Sequence, residues 1–530
     1  MRGLRGVGVL GGMVAMLGGG FALAQGKPPA LGAPQPQQEP GGKFGPAPAP
    51  VPPPAAPQVD KFANPPPMVT PRAETPPPAP PAPRADKFGN GGAPAAPSPA
   101  PTPPAAAPAP VPPNEPAALG QLRAMLGPGT SLSYRSAAEA GPGAARMREA
   151  EIRTREGERI TAQEMVVERP GADAIGALTA QTLTFTTKEG QVTAIGRMEL
   201  RDFSVQRPAP GATMRPDQMS LGLLRLEALA VQGERPVGIA EILVQDYRAG
   251  RAGRATVTGL DMLVPEGGGV ADRVKVARMA LEGIDLAGTL AALADKQTPP
   301  RPPGAYTAAI EGVTVTQGDA AIGSLGAMRM TGALGQGGPD TGRVTLEGLR
   351  VEPFPMIAPW LQRLGYQALT GDFSVESRVD QAAGRLELVG MLLGVRDAGA
   401  FGLSLTMDGI APEGSTQEKF AAARLVSLTM RYLDQSLLQR LAAAEARERR
   451  QPERQIREAW ANQATGAMQG GTGAVAPVLA AVQRLLRGQA QEVTINMQPP
   501  KPVPVSELSG AAAGGPAEVQ RMLGITATSR

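Results

Sequence analysis

One eight-residue arrangement of apolar positions occurs six times between Met198 and Val351: apolar–x–apolar–x–x–apolar–x–apolar. The copies are Met198–Val205, Leu224–Val231, Ala255–Met262, Met279–Leu286, Ala308–Val315 and Val344–Val351. At about 100° per residue these apolar positions scatter around a helix, whereas on a strand the two members of each pair share one face. The pattern therefore predicts β-strands.

The two-residue step between the apolar pairs reverses the alternation of faces. A β-bulge would produce this reversal, and four copies carry at the step the glycine that bulges favour: Gly259, Gly283, Gly312 and Gly348. A tight hairpin turn is the alternative, although Glu-Gly is a weaker turn signal than Asn-Gly or Asp-Gly. Bulges add twist and curvature, and the copies begin at irregular intervals, so we expect a curved meander and no strict solenoid.

Alternating apolar positions continue on both sides of the repeat, from Ser131 and up to Tyr432. The predicted fold is mainly β: a long curved antiparallel sheet of bulged strands, forming a trough or an open barrel, with packed helices and a C-terminal helical segment. Leucine spacing and capping residues predict the helices Ala117–Leu126, Pro353–Leu364, Asp434–Arg450 and Val475–Leu486.

The N-terminal region has a different composition. Arg2 and Arg5 precede an apolar, glycine-rich stretch and the sequence Ala22-Leu23-Ala24, a pattern typical of a secretory signal cleaved after Ala24. An uncleaved inner-membrane anchor is the alternative. The Pro/Ala-rich sequence that follows has too few branched apolar residues to fold and predicts a disordered tether, in which a Lys-Phe phrase recurs three times. Such a phrase is either a docking motif or the product of duplication.

The predicted organisation has five regions. They are a signal peptide (1–24), a disordered Pro/Ala-rich tether (25–116), a β-rich domain (117–432), a helical segment (433–490), and a C-terminal strand and tail that pack on the β domain (491–530). Export through the signal predicts a periplasmic or secreted protein.

Composition narrows the possible chemistry. The chain has no cysteine and no histidine, so thiol nucleophiles, disulfides, His-dependent triads and His-ligated zinc are excluded. The net charge is only +4 and the sequence contains no run of Lys and Arg, so a nucleic-acid partner is not expected. Two Trp and five Tyr are few for a protein that stacks aromatic rings on sugars.

A column of acidic residues at the repeat steps is the one candidate for catalysis or metal binding: Asp202, Glu227, Asp261, Glu282, Asp285, Glu311 and Glu347. Such a column could bind Ca²⁺ or hydrolyse glycosides. Equally, charged residues at these positions keep strands soluble and discourage edge pairing. No nucleophile elbow, phosphate-binding loop or dinucleotide fingerprint occurs in the required context. We therefore expect no enzyme activity, no cofactor and no metal site.

The strand patterning from about Ser131 to Tyr432, with its Leu-Glu-Gly-Ile-Asp-Leu type of repeat, resembles exported β-rich envelope proteins of alphaproteobacteria. More loosely, it is similar to AsmA-like and lipopolysaccharide-transport proteins. The resemblance implies a long curved sheet whose apolar interior carries lipid between membranes. The resemblance does not identify any functional residue in this chain.

Two functions follow as hypotheses. The first is a non-enzymatic trough that binds a lipid or other amphiphile, lined by one apolar residue from each repeat: Phe203, Leu229, Leu260, Ile284, Val313 and Leu349. The second is a structural or adaptor module that docks an envelope protein through its tether. The helices Asp434–Arg450 and Val475–Leu486 discriminate between them, because packing of both over the concave face would leave no groove. The sequence leaves the oligomeric state open.

Overall fold

The computed structural model describes residues 115–127, 129–155, 157–207, 216–233, 236–264, 271–289, 304–335, 338–411, 418, 420–468, 476–508 and 516–530. All of them belong to one compact unit. The predicted signal peptide, the Lys-Phe phrases and all but the last two residues of the predicted tether lie outside the described residues.

Twenty strands and six helices make up the described part. The strands are β1 (Ser131–Ser133), β2 (Ser136–Gly141), β3 (Ala144–Arg153), β4 (Arg159–Pro170), β5 (Ala174–Thr186), β6 (Val192–Val205), β7 (Met219–Val231), β8 (Val237–Arg248), β9 (Arg254–Leu263), β10 (Arg273–Glu282), β11 (Gly304–Gln317), β12 (Ala320–Leu334), β13 (Asp340–Val351), β14 (Leu369–Asp380), β15 (Arg385–Val395), β16 (Gly399–Asp408), β17 (Arg424–Asp434), β18 (Glu492–Met497), β19 (Val503–Pro504) and β20 (Ile525–Ser529). The helices are α1 (Ala117–Leu126), α2 (Ala358–Leu364), α3 (Leu437–Arg449), α4 (Glu453–Met468), α5 (Ala476–Leu486) and α6 (Pro516–Leu523).

All the strands form one antiparallel meander. From β3 to β18 each strand pairs with the next one along the chain, even where α3, α4 and α5 intervene between β17 and β18. At one edge β1 and β2 both pair with β3, and at the other β20 pairs with β18. These two edges do not pair with each other among the described strands, so the sheet is open. The prediction of a mainly β fold with one long antiparallel sheet is confirmed.

The backbone changes conformation at the predicted step of all six repeats. The second step residue is left-handed in each copy, with φ between 51° and 68°: Asp202, Ala228, Gly259, Gly283, Gly312 and Gly348. The predicted bulge, however, forms only at Gly348, where the register between β13 and β14 shifts by one residue. At Asp202, Ala228, Gly259 and Gly312 the strands stay paired one to one with both neighbours at the step. At these four steps the face therefore reverses within one-to-one pairing, and no extra residue is needed on either strand.

The fourth repeat departs from the prediction. Its strand, β10, ends at Glu282, just before Gly283. The chain then turns away, because the Asp285 carboxylate accepts a hydrogen bond from the Gly288 backbone N–H at 2.8 Å and a helical turn follows. Ile284 consequently lies outside the strands.

The left-handed residues line up across the sheet in two rows. The registers place one row through Thr182, Gly196, Ala228, Ala240, Gly259, Ala277, Gly312, Gly326 and Gly348. They place the other through Arg169, Gly176, Asp202, Gly222, Asp246, Gly253 and Gly283. Along each row a left-handed residue alternates with a residue of the neighbouring strand that has no positive φ.

Close approach explains the small residues in these rows. A Cβ added to Gly196 would stand 3.0 Å from the Ala228 Cβ, and one added to Gly312 would stand 2.7 Å from the Ala277 Cβ. Only glycine or alanine fits opposite most of the left-handed positions. On β6 the two rows pass through residues 196 and 202, so the strand reverses its alternation twice and keeps its apolar side chains on one face.

That common face, the inner face, holds the hydrophobic core. Ile195, Leu200 and Phe203 of β6 lie before, between and after the two rows, and all three belong to one cluster of buried residues. Helix α1 packs on β3 and β4. The nearly complete burial of Leu226 on β7 and Ile242 on β8 therefore requires the curved sheet to cover its own inner face.

Three predicted helices are confirmed within a few residues, and one is shorter. Helix α1 has the predicted bounds, and α3 and α5 begin one to three residues late. Helix α2 begins at Ala358 and not at Pro353, because Pro355 and Pro359 exclude a regular helix before that point. It ends as predicted at Gly365, which is left-handed with φ 73°.

Candidate functional site

Two rows of apolar side chains run along the inner face between the left-handed rows. Directly paired residues point to the same side of a sheet, so the registers trace each row strand by strand. The first row is Met198, Leu226, Ile242, Val257, Met279, Ile310, Met328, Leu346, Phe373, Leu393, Phe401, Tyr432 and Val493. The second is Leu200, Leu224, Val244, Ala255, Leu281, Ala308, Met330, Val344, Val375, Met391, Leu403, Met430 and Ile495.

Burial along these continuous rows changes sharply from one end to the other. In the first row, Leu226 is 0% exposed and Ile242 is 2% exposed, and they sit within the main core. Further along the same row, Leu346 and Phe373 are only partly buried and Leu393 is 42% exposed. Residues of similar chemistry therefore form a packed interior at one end of the trough and an accessible surface in its middle.

The packed end leaves little free space. An apolar cavity there, lined by residues such as Leu122 of α1, Phe185 and Met198, measures about 40 Å³. That volume holds only a few water-sized groups, whereas sites for small organic ligands usually enclose ~300–1,000 Å³. An acyl chain does not fit at this end.

The far end of the inner face is covered by the C-terminal helices. Ala481 and Leu485 of α5 pack with Val493 of β18, and Tyr432 and Leu438 complete this cluster. Helix α5 also lies along β20, and α4 packs between α3 and α5. The two helices that discriminate between the hypotheses thus pack at β17, β18 and β20 and leave the middle of the inner face uncovered.

Ten inner-face residues between the two covered ends form what we call the uncovered section. They are Met328 and Met330 on β12, Val344 and Leu346 on β13, Phe373 and Val375 on β14, Met391 and Leu393 on β15, and Phe401 and Leu403 on β16. None of the ten carries a charge, and none belongs to a packed cluster of buried residues in the described part. Five strands ~4.8 Å apart give the section a length of about 19 Å.

This length matches an apolar chain that lies across the strands. One leaflet of a bilayer accounts for half of a hydrocarbon core ~30 Å thick, so its acyl chains extend over about 15 Å. Three of the ten residues are methionines, whose flexible side chains adapt to an irregular apolar ligand. The arrangement offers apolar contact and no catalytic group.

The six residues expected to line the trough are not brought together as one surface. Phe203, Leu229 and Leu260 are buried in the main core and contact no accessible space, so that part of the prediction is corrected. Val313 is partly buried against the same core, and Ile284 is half-buried beyond the end of β10. Leu349 alone is exposed, at 39%, beside the bulge at Gly348.

Sequence reasoning missed most of the uncovered section because it followed the repeat and stopped at Val351. One signal was present further on. From Leu388 to Met407 the only charged residues are Arg396 and Asp397, which form the turn between β15 and β16. A hairpin this poor in charge is typical of strands that are covered on both faces.

Five of the seven acidic residues lie on the outer face, each with an arginine within 4.0 Å: Glu227, Asp261, Glu282, Glu311 and Glu347. Arg273 pairs with Asp261 at 2.5 Å, and Arg254 pairs with Glu282 at 2.6 Å. Arg329 bonds to Glu347 at 2.9 Å. Within the described ranges, no group of three Asp or Glu side chains could hold a metal ion. The column is thus a set of cross-strand ion pairs on a solvated face.

Two titratable groups mark the covered end. Burial and the Asp434 carboxylate, to which the Tyr432 hydroxyl donates at 3.0 Å, raise the pKa of Tyr432. On the outer face, hydrogen bonds from Arg431 at 2.9 Å and Arg530 at 3.2 Å lower the pKa of Glu492 to about 2. Both groups lie on the C-terminal strands, where Tyr432 pairs with Phe401 at the edge of the uncovered section.

Comparison with known proteins adds one partial match. A family model described as "Uncharacterized protein" matches residues 392–530, from the middle of β15 to the end of the chain. No curated protein matches the chain. Of the described helices, none has the length and apolar character needed to cross a bilayer.

Proposed function

We propose that this protein is an exported, non-enzymatic binding protein that holds the apolar chains of a lipid or similar amphiphile on the uncovered section. The observation that carries this proposal is the contrast in burial along one continuous row. Leu226 is fully buried by the curved sheet, whereas Leu393, in the same row, is 42% exposed. A contiguous apolar surface of this kind is rarely left facing water in a soluble monomer.

The chemistry of the surface defines the class of ligand. Apolar side chains gain free energy from covering a hydrocarbon chain, at ~25 cal/mol per Å² removed from water. The ten residues offer no charged group and no buried hydrogen-bond donor to select a head group. The ligand is therefore recognised by its apolar part, with its polar part left towards solvent.

The adaptor hypothesis receives no comparable support from the fold. It predicts that α3 and α5 cover the concave face, whereas α5 covers only its C-terminal end. The tether on which it depends lies outside the described residues. We therefore retain it as the outcome to which a negative binding experiment would point.

Native mass spectrometry with lipid extraction tests the proposal. The full chain is purified from a bacterial periplasm without detergent, and its mass is measured under gentle ionisation. We expect an adduct of one or two lipid molecules per chain, identified as phospholipid or glycolipid after extraction. A clean apo mass, unchanged after incubation with phospholipid vesicles, would show that the uncovered section does not bind lipid.

A further inference from the structure

The two most exposed large apolar side chains of the described part lie four residues apart. Met356 is 69% exposed and Trp360 is 57% exposed, in the connection from β13 to β14. The same short segment, residues 353–360, carries three exposed prolines: Pro353, Pro355 and Pro359. We call this segment the α2 tip. The Trp360 indole N–H makes no hydrogen bond within the described residues, unlike that of Trp460, which donates to Glu445 at 3.0 Å.

The opposite side of α2 joins the tip to the sheet. Leu361 is buried and packs in a cluster that includes Leu369 at the start of β14 and Val395 at the end of β15. Leu437 of α3 belongs to the same cluster. The α2 tip therefore stands at the end of the two strands that carry Phe373 and Leu393, beside the uncovered section.

Arginines surround this side of the molecule. The Arg363 guanidinium lies 5.2 Å from the centre of the Trp360 ring and bonds to Glu448 at 2.7 Å. Arg447 donates to the Arg363 carbonyl at 3.1 Å. Arg396, in the turn after β15, is exposed and has no ion-pair partner among the described residues. Cationic groups beside an exposed tryptophan suit the boundary between anionic head groups and acyl chains.

The two ends of the inner face are closed by the chain itself. Helix α1 packs over β3 and β4, and α5 packs over β18. In the described part, an apolar chain can thus reach the uncovered section from the side of the trough and not through its two ends. The α2 tip marks one such side.

We propose that the α2 tip docks on an anionic phospholipid bilayer, with Met356 and Trp360 inserted at the level of the head groups. The uncovered section then receives a lipid laterally from that bilayer. The docking is inferred from the α2 tip alone, whereas lateral loading of a lipid depends on the proposed function. The tip is too short to span a membrane, so the contact is interfacial and reversible.

Vesicle flotation of the full chain tests the docking. The probes are vesicles of phosphatidylethanolamine with phosphatidylglycerol, compared with vesicles of phosphatidylcholine alone. We expect the wild type to float with the anionic vesicles, and Met356→Ser combined with Trp360→Ser to weaken binding by about tenfold or more. Leu263→Ser is the control, because Leu263 is a 44% exposed apolar residue at the end of β9, four strands along the sheet from β13 and the tip. It should float like the wild type.

Fluorescence gives a readout that does not depend on fold stability. The chain has two tryptophans, so Trp460→Phe leaves Trp360 as the sole tryptophan fluorophore. Its emission should move to shorter wavelength with anionic vesicles and be quenched by brominated acyl chains. Unchanged emission together with unaltered flotation of the double variant would overturn the docking.

Lipid occupancy separates this inference from the proposed function. Bound lipid in the wild type, with no flotation and no change in Trp360 emission, would refute docking and leave lipid binding intact. Flotation without any bound lipid would refute loading and the proposed function together, and would leave the tip as a membrane contact.

Discussion

Replacing Leu393 by aspartate should weaken lipid binding about a hundredfold, while the same change at Leu392 should leave it nearly unchanged. The two leucines are neighbours on β15, and both are exposed, at 42% and 52%. Leu393 pairs with Phe373 and Phe401 on the inner face, whereas Leu392 points to the outer face. The pair therefore compares the two faces of one strand with almost everything else held constant.

The expected magnitude follows from burial. Covering a leucine completely contributes ~1.5–3 kcal/mol, so covering the exposed 42% of Leu393 with a hydrocarbon chain contributes about 0.6–1.3 kcal/mol. A carboxylate placed against that chain adds a desolvation cost of at least ~2 kcal/mol. Because each 1.4 kcal/mol is a factor of ten, Leu393→Asp should weaken binding by about a hundredfold.

Loss of stability should not distinguish the two variants. Each leucine is already about half exposed, so each substitution removes a similar apolar contribution of about 1 kcal/mol. Binding is measured by titration of the full chain with cis-parinaric acid, whose fluorescence rises in an apolar site, and urea unfolding checks the fold. Equal binding by Leu393→Asp and wild type, or an equal loss in Leu392→Asp, would refute the assignment of the inner face as the binding surface.

Three further predictions concern the fold. Gly312→Ala should lower the free energy of unfolding by at least ~1–2 kcal/mol, because φ is 63° and the new Cβ would stand 2.7 Å from that of the opposed alanine. Gly390→Ala is the control, because a Cβ there meets nothing within 4 Å. In urea unfolding it should lower the free energy far less. Leu226→Ala should lower the free energy of unfolding by ~2–5 kcal/mol, because Leu226 is fully buried. Leu346→Ala should lower it clearly less, because Leu346 lies in the same row and is partly exposed. Equal losses of stability would contradict an uncovered section. The pKa of Glu492 is lowered to about 2 in the folded state by its two arginine partners, so its stabilising contribution is present above pH ~4.3 and is lost as the pH falls towards 2. Glu492→Gln should accordingly reduce the loss of stability between pH 5 and pH 2, and an unchanged pH profile would exclude this role.

The sequence determined where the strands reverse their alternation. All six repeat steps have a left-handed residue at the predicted position, including Asp202 and Ala228, where no glycine marks it. This information is local, because the apolar pattern on either side of a step requires the face to reverse. Left-handed residues at Thr182 and Asp246 escaped prediction, although Thr182 stands at the second step of Leu178–Phe185, which has the same arrangement upstream of the six copies.

The tertiary structure decided how each reversal is made and which apolar residues are covered. A bulge or a one-to-one pairing depends on the register of the neighbouring strand, which the repeat itself does not contain. Leu226 and Leu346 occupy the same position in two copies of the repeat, yet the first is fully buried and the second faces the uncovered section. Burial is set by what packs above a strand, and α1 and α5 reach only the two ends of the sheet. The pattern of one strand therefore predicts an apolar face, and only the fold shows whether that face is core or binding surface.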